Sequence, residues 1–353
     1  MSRVQGRFDP PAGSDPRRVG IKDVARVAGV SPGTVSNVLN HPERVTAAKR
    51  LLVERAIKDL GFVRHESARH LRVGTSHTLG LLLLDAWNPF FTEMARGVED
   101  WTFDRGWPVL VSNSARSSER EAAYLRLFLE RRVAGLIVVP HQDSTEQLID
   151  LRRQGIPSVV VDRAEFGEEG MSVALDDVKG GALAVDHLLD LGHRSIAFLG
   201  DPDTVTQVRD RLLGATRAIA ESGTAVRFDV LPSSGLTVDG GRELGNRLVA
   251  MGPSERPTAV FASNDLLAIG VLQSLIQHGV HVPDEIALVG YDDIEFSRQV
   301  SVPLTTVRQP AYQMGRTAAE MITGQLAGSP PDPRHIVFEP ELIVRESTTS
   351  RPS

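Results

Sequence analysis

Apolar residues near the start of the chain recur every three to four positions, as they do along one face of a helix. The three faces are formed by Ile21, Val24, Ala25 and Ala28, by Val35, Val38 and Leu39, and by Val53, Ala56, Ile57 and Leu60. Gly29 and Gly61 stand where the first and third helices should end, since glycine accepts the left-handed backbone of a helix C-terminus. Ser31 and Thr46 stand where the second and third helices should begin. The pattern predicts a helix-turn-helix head with a tight turn between its first two helices.

From Thr78 onward, the pattern changes to short apolar runs separated by segments of helix length. The runs are LGLLLL (79–84), PVLV (108–111), GLIVV (135–139), PSVVV (157–161), SIAFLG (195–200), TAVFA (258–262) and IALVG (286–290). Uninterrupted apolar runs are typical of parallel strands that crossover helices bury on both faces. Seven such units exceed what one small sheet needs, so the pattern predicts two stacked α/β subdomains with a cleft between them.

Charge separates the same two regions. Residues 1–75 contain 14 Lys and Arg against 7 Asp and Glu, whereas residues 76–353 contain 25 against 38. A basic head on an acidic body favours a polyanion as the partner of the head alone. A basic solvated tail is the alternative.

Length and composition limit the classes of protein to which the chain can belong. A chain of 353 residues predicts two or three domains. It contains no cysteine, no apolar run near the ~18 residues that indicate a membrane span, and no apolar stretch in residues 1–18 that would indicate a secretory signal. We expect residues 1–18 to be disordered, and the protein to be cytoplasmic with no membrane partner.

Two functions compete for the segment AGVSPGTVSNVLN (28–40). Its GVSPG matches the G-x-S-x-G pattern of a hydrolase, with Ser31 as the nucleophile. Such an elbow needs a strand before the serine, whereas the preceding residues have helical periodicity. Pro32 would also remove a backbone N–H that the oxyanion hole normally uses. The hydrolase interpretation therefore lacks its structural context.

A DNA-reading helix instead needs short polar side chains on its outer face near its N-terminus. The residues predicted there are Pro32, Gly33, Thr34, Ser36 and Asn37. The Asn37 amide matches the donor and acceptor of adenine in the major groove, and hydroxyl groups suit phosphates. The alternative is that Asn37 is only a polar surface residue.

Taken together, these segments resemble the LacI/GalR family of bacterial transcription regulators. IKDVARVAGVSPGTVSNVLN and RVTAAKRLLVERAIKDLGF are similar to the family's head, ESARHLRVG to its hinge, and TLGLLLLDAWNPFFTEMARGVED to the start of its effector domain. Further matches are DLGHRSIAFLGDP, FASNDLLAIGVLQSL, VPDEIALVGYDD and PLTTVRQP. The resemblance runs from about Gly20 to Thr348 and implies a regulator with no catalytic residue, cofactor or metal.

The implied fold is an N-terminal all-α helix-turn-helix head followed by an α/β effector domain similar to periplasmic binding proteins, with two parallel-sheet subdomains. The expected boundaries are 1–18 for an extension, 19–63 for the head, 64–77 for the hinge and 78–348 for the effector-binding and dimerisation domain. Within that domain, we expect 78–176 and 308–330 in the first subdomain, and 177–307 and 331–348 in the second.

Carried over residue by residue, the family's base-reading positions correspond to Pro32, Gly33 and Asn37. Leu71 matches the leucine that the hinge inserts into the minor groove, and an ordinary packing residue is the alternative. Arg64 and His65 replace the Pro-Asn or Pro-Ser that often precedes the family's hinge helix, so its usual cap is missing. The full set expected at DNA is Ser31, Pro32, Gly33, Thr34, Ser36, Asn37, Asn40 and Leu71.

The resemblance also implies an effector pocket. Its expected residues are Phe90, Phe91, Asp162, Gln207, Arg211, Leu236, Asn264, Asp265 and Asp292. Carboxylate, amide and guanidinium groups beside an aromatic face suit a sugar or polyol. Phe90 and Phe91 could instead belong to the core, and Asp292 could cap the following helix.

The expected function is that of a homodimeric repressor of a palindromic operator, controlled by a small metabolite and associated with the nucleoid when bound to DNA. The tail after Arg345 has no leucine heptads, which argues against a coiled-coil tetramer. A sugar-sensing module without DNA function is the alternative.

Overall fold

The computed structural model describes residues 19–62, 76–141, 145–163, 170–203 and 205–349. The chain divides into two units, Met1–Gly74 and Thr75–Ser353. The predictions of a disordered extension (1–18) and of a wedge at Leu71 lie outside the described residues. None of the helices in these ranges is both long and apolar enough to cross a membrane.

The first unit contains the three helices that the sequence predicts. They are α1 (Ile21–Ala28), α2 (Pro32–Asn40) and α3 (Ala47–Leu60), with a 3-10 turn at Pro42–Arg44 between the last two. Val24, Val35 and Val53 are fully buried where the helices meet. Gly29 and Gly61 end their helices at φ 65° and 59°, in the left-handed region that favours glycine.

The second unit contains two six-stranded sheets. The first has the order β11-β5-β4-β3-β1-β2, with strands β1 (Leu79–Leu83), β2 (Val109–Asn113), β3 (Gly135–Val138), β4 (Ser158–Val161), β5 (Met171–Leu175) and β11 (His335–Phe338). The second has the order β12-β10-β9-β8-β6-β7, with strands β6 (Ser195–Leu199), β7 (Arg227–Leu231), β8 (Ala259–Ala262), β9 (Ala287–Asp292), β10 (Thr305–Arg308) and β12 (Glu341–Ile343). All pairings are parallel except that of β10 with β12.

Helices connect and cover these strands, as buried parallel sheets require. They are α4 (Pro89–Phe103), α5 (Ser118–Glu130), α6 (Thr145–Arg153), α7 (Asp177–Asp190), α8 (Thr206–Glu221), α9 (Val238–Ala250), α10 (Asp265–Gln277) and α11 (Ala311–Leu326), with a 3-10 turn at Glu295–Arg298. All seven apolar runs of the sequence form strands in these two sheets, so the prediction of two parallel-sheet subdomains is confirmed.

The chain crosses between the two sheets three times, after β5, after β10 and between β11 and β12. The last crossing corrects one predicted boundary. Residues 331–348 do not all belong to the second subdomain, because β11 pairs in parallel with β5 of the first sheet. Only β12 returns to the second sheet, where it pairs with β10.

Candidate functional site

A cavity lies between the two subdomains of the second unit. Its wall is formed by Leu84, Asn88, Phe90, Phe91, Arg116, Asp162, Val205, Gln207, Val208, Arg211, Leu236, Asn264, Asp292 and Gln309. Several of these residues directly follow or end parallel strands, as Asp162 does after β4 and Asp292 at the end of β9. Ligands of α/β proteins bind at this carboxyl edge of the sheet.

Eight of the nine residues predicted at an effector line this cavity. Asp265 does not, contrary to the prediction. Its carboxylate accepts hydrogen bonds from the Thr306 hydroxyl at 2.7 Å, the Ile294 N–H at 3.0 Å and the Ser297 hydroxyl. Asp265 therefore joins the start of α10 to the strands beside it. Burial, together with the charge of Asp292, raises the pKa of this carboxyl to about 7.

Arg211 enters the cavity from α8 with its guanidinium already held by the protein. Its Nε donates to Asp177 at 2.8 Å, and its Nη1 donates to the carbonyl oxygen of Ser263 at 2.6 Å. The guanidinium also lies 3.7 Å from the centre of the Tyr291 ring. Burial lowers the pKa of Arg211, but Asp177 and the other acidic neighbours outweigh it and raise the pKa above its usual value. This side chain is fixed and cationic.

Small residues bring the two helices of this ion pair together. A side chain at Gly181 of α7 would collide with the Arg211 backbone, and one at Gly214 of α8 would collide with the Val178 backbone. The close approach of α7 and α8 therefore depends on glycine at both positions. It places Asp177, at the start of α7, within reach of Arg211.

Two carboxylates in the cavity stand on strained backbone. Asp162 and Asp292 have φ values of 65° and 115°, which non-glycine residues rarely adopt. Such strain is concentrated at functional sites. Burial raises the pKa of Asp162 well above its usual range, with Asp177 contributing. Burial also raises the pKa of Asp292 to about 6, although Arg211 opposes the shift.

Asp292 connects the two subdomains. Its carboxylate accepts hydrogen bonds from the amide of Asn88, in the first subdomain, at 3.3 Å and from the amide of Gln309, at a crossing, at 2.7 Å. The 3-10 turn that follows is preceded by Ile294, so Asp292 is not its cap. The alternative of a purely capping role is therefore wrong.

Phe90 and Phe91 satisfy both interpretations offered for them. They are 3% and 5% exposed, and their rings meet edge to face with centres 5.0 Å apart. Both also line the cavity, so they belong at once to the core and to the wall. The Asn88 side chain accepts the N–H of Phe90 at 3.0 Å and so fixes the start of their helix, α4.

Sequence reasoning missed three polar residues of the wall, Asn88, Arg116 and Gln309. Asn88 could have been found, because it follows the first apolar run closely. Arg116 lies three residues after the edge strand β2, in a turn that the sequence pattern does not predict. Gln309 follows β10, whose four residues TTVR were not among the apolar runs predicted as strands.

The outer face of α2 carries the residues predicted at DNA. Ser31, Pro32, Gly33, Asn37 and Asn40 are exposed, whereas Thr34 and Ser36 are half-buried. The Ser31 hydroxyl accepts the N–H of Thr34 at 3.1 Å, which makes it the predicted N-cap. Asn40 donates its amide to the Ser36 carbonyl oxygen at 2.8 Å, so this side chain lies along its own helix. The element before Ser31 is a helix rather than the strand of a nucleophile elbow.

Comparisons with known proteins assign both units. Residues 20–65 match the family of bacterial regulatory proteins called the lacI family, and residues 185–348 match the periplasmic binding protein-like domain. The HTH-type transcriptional repressor PurR of Photobacterium profundum is 34% identical over 329 residues, covering 93% of this chain and 98% of the relative. This chain belongs to the LacI family.

Solved structures of the LacI family show the same architecture. The lac repressor dimer bound to operator and the anti-inducer ONPF aligns with a TM-score of 0.80 at 26% identity, over 95% of this chain and all of that one. A LacI family regulator of Enterococcus faecium with bound ribose aligns with a TM-score of 0.69 at 29% identity, over 77% of this chain and 98% of that one. The chain is thus a DNA-binding transcriptional repressor with a small-molecule effector, and not an enzyme. The hydrolase interpretation and that of a sensor without DNA function are both wrong.

Proposed function

We propose that this repressor binds a palindromic operator as a homodimer in the cytoplasm, with α2 of each head in a major groove. The observation that supports this is the outer face of α2, where the Asn37 side chain is exposed beyond the first turn and Thr34 and Ser36 are half-buried beside it. In the proposal, Asn37 reads an adenine, and the N-terminus of α2 with Ser31 contacts a phosphate. Leu71, outside the described residues, is the proposed wedge in the central minor groove.

The dimer has support in the edges of the two sheets. Edge strand β2 exposes Leu110 and Val111, and edge strand β7 of the other sheet exposes Val230. Apolar side chains on an unpaired edge are a liability in a monomer, and a second copy would cover them. We therefore place the interface along these edges.

The proposed effector is a sugar or related polyol held in the cavity. Paired carboxylates and amides bind hydroxyl groups, and Phe90 and Phe91 cover apolar C–H edges. The ribose-bound regulator of Enterococcus faecium gives this class further support.

Effector binding would act on DNA through closure of the two subdomains. Asn88 and Asp292 already meet across the cleft, so a ligand between them changes the preferred closure angle. In a dimer, that angle sets the spacing of the two hinges and so shifts the population able to bind the operator.

Gel-shift titration of the full chain against duplexes from its own upstream region tests these proposals. We expect tight binding to one palindromic duplex, a steep loss of affinity with salt, and a change in affinity when the correct sugar is added. Equal affinity for the palindrome and for its half-site would contradict the dimeric arrangement. Affinity that no sugar or polyol changes would contradict the effector class.

A further inference from the structure

The chain enters the second unit at the amino edge of the first sheet, where its parallel strands begin. The N–H of Ser76 donates to the carbonyl oxygen of Arg132 at 3.2 Å, and the N–H of Leu79 donates to that of Pro108 at 2.9 Å. The entering segment therefore lies between the loops that precede β2 and β3, the strands on either side of β1. We call this surface the entry edge, and it consists of residues 76–78, 104–108 and 131–134.

Two arginines of the entry edge directly follow α5. The turn they form is closed by a hydrogen bond from the N–H of Arg132 to the carbonyl oxygen of Leu129 at 3.0 Å. The side chains of Arg131 and Arg132 are both exposed. Among the residues that the structure describes, neither guanidinium has a hydrogen-bond or ion-pair partner. The backbone of this turn is thus fixed, while both charges remain available at the surface.

Arg105 supplies a third charge on the other side of the entering segment. It follows α4 and is exposed. Its guanidinium lies 3.5 Å from the centre of the Trp101 ring, and its Nη1 donates to the Trp101 carbonyl oxygen at 3.0 Å. Asp104 and Glu130 are neighbours of these arginines in the sequence, but within the described ranges neither carboxylate forms an ion pair with them. The three arginines of the entry edge are therefore without a carboxylate partner in the described structure.

Arginines at the amino edge of the second sheet are engaged differently. Arg194 donates to the carbonyl oxygen of Leu189 at 3.0 Å, and Arg256 donates to that of Leu248 at 3.1 Å. Both acceptors lie in the last turns of helices, α7 and α9, whose terminal carbonyl groups need donors. The two arginines after α5 make no such bond in the described structure. Closing the end of the preceding helix therefore does not account for them.

The partner that fits the entry edge is a polyanion. Residues 76–353 contain 25 Lys and Arg against 38 Asp and Glu, so three unpaired arginines in one place run against the charge of the unit. Neighbouring strands lie ~4.8 Å apart, which puts the loops before β2 and β3 about 10 Å apart. Duplex DNA carries one charge per ~1.7 Å of its axis, so several phosphates fit across this width. The planar guanidinium of arginine matches the oxygens of a phosphate.

DNA is the polyanion that this chain itself brings to the second unit. The head binds DNA and is joined to Ser76 through residues 63–75. A tethered ligand has a high effective concentration, so even weak contacts with it are populated. An acidic protein partner has no such advantage.

We propose that the entry edge contacts backbone phosphates of the bound DNA, with Arg105, Arg131 and Arg132 as donors. Such contacts are independent of base sequence and add affinity to the base recognition by the head. The inference rests on the operator binding of the proposed function, and it goes beyond that function by giving the second unit a DNA contact of its own.

The salt dependence of affinity tests this contact, because each phosphate that a cation neutralises releases counterions. Arg131→Gln combined with Arg132→Gln removes two charges from each protomer of the full chain and keeps side chains of similar polarity. On the palindromic duplex, we expect a loss of at least tenfold in affinity at about 50 mM salt. The slope of log affinity against log salt should become shallower by at least ~1.8, the value for one phosphate lost per protomer of a dimer. A duplex of scrambled sequence should lose as much, so the ratio of the two affinities stays within twofold.

Arg217→Gln combined with Arg247→Gln is the matched control. It removes the same charge from exposed positions of α8 and α9 in the second subdomain, so the slope should change by less than half the value for one contact, ~0.45. An equal change of slope in both double variants would mean that only net charge matters, and would overturn the contact. A loss of affinity at the entry edge without a change of slope would also overturn it, since the arginines would then act within the protein. Unchanged affinity and slope would overturn it in favour of an acidic protein partner.

Arg105→Gln carries the same test where the double variant has no thermal unfolding transition. It removes one charge from each protomer, so the slope should become shallower by at least ~0.9, and an unchanged slope overturns the proposal. The unsubstituted protein reports separately on the proposed function. Its preference for the palindrome over the scrambled duplex supports operator binding whatever the slopes of the variants, and the absence of that preference counts against the proposed function itself.

Discussion

Nε of Arg211 donates to Oδ1 of Asp177 at 2.8 Å, across the contact between α7 and α8, and both side chains are more than nine-tenths buried. The pair holds the arginine at the cavity wall in one orientation. Because both charges are out of water, each depends on the other for compensation. The same ion pair therefore stabilises the folded protein and orients Arg211 at the binding site.

Arg211→Met should show the contribution of this pair to stability. Removing one partner of a buried ion pair leaves the other charge uncompensated, so we expect a loss of ~3–5 kcal/mol in the free energy of unfolding, measured with urea. Arg209→Met, on the exposed side of the same helix, should change it by no more than ~0.5 kcal/mol. A loss below ~1 kcal/mol for Arg211→Met would mean that water reaches Asp177.

Substitution of Asp265 should mainly reduce stability, whereas substitution of Asp292 should mainly weaken effector binding. Asp265→Asn leaves donors from Ile294, Ser297 or Thr306 without acceptors, so it should cost ~1–3 kcal/mol of unfolding free energy.

Asp292→Asn keeps a left-handed backbone that asparagine tolerates, so it should cost less in stability. It should instead weaken the effector at least tenfold, by calorimetry. The reverse pattern would return Asp265 to the binding site.

Stability should depend on pH through Asp292. The folded pKa of about 6 lies above the ~3.9 of an unfolded aspartate, so the folded state binds more protons between these values. Stability from this group is then greatest at low pH and falls as the pH rises through that window. Relative to Asp292→Asn, the wild type should lose up to ~3 kcal/mol between about pH 4 and pH 7. A flat difference between the two proteins would contradict the raised pKa.

The sequence predicted those parts of the fold that local patterns determine. Buried parallel strands are mostly apolar, so the apolar runs of the sequence were enough to predict β1, β3, β4 and β8. Strand β11, HIVF, is a short edge strand whose place beside β5 depends on a crossing that only tertiary packing decides.

The residues of the candidate site also fall into those that were predicted and those that depend on the folded structure. The family resemblance predicted residues that directly follow strands, such as Asp162 and Asn264, and both line the cavity. Asp265 was misplaced because one step along a helix start turns its carboxylate from the cavity to β9 and β10. Arg116 was missed because its place in the wall comes from two positive φ angles and a contact with Asp85, which are set by the folded loop.

Asn37 is the residue on which DNA specificity should depend most. Pro32 and Gly33, at the other base-reading positions, offer no side-chain hydrogen bond. Asn37→Ala should therefore cost ~1–3 kcal/mol on the operator and relax the preference at one base pair, measured by titration against a series of singly substituted duplexes. Asp59→Ala is the matched control, because this exposed acidic residue of α3 is outside the set expected at DNA and should alter no base preference. If Asn37→Ala weakens every duplex of the series alike, Asn37 contacts a phosphate and the reading must come from DNA shape.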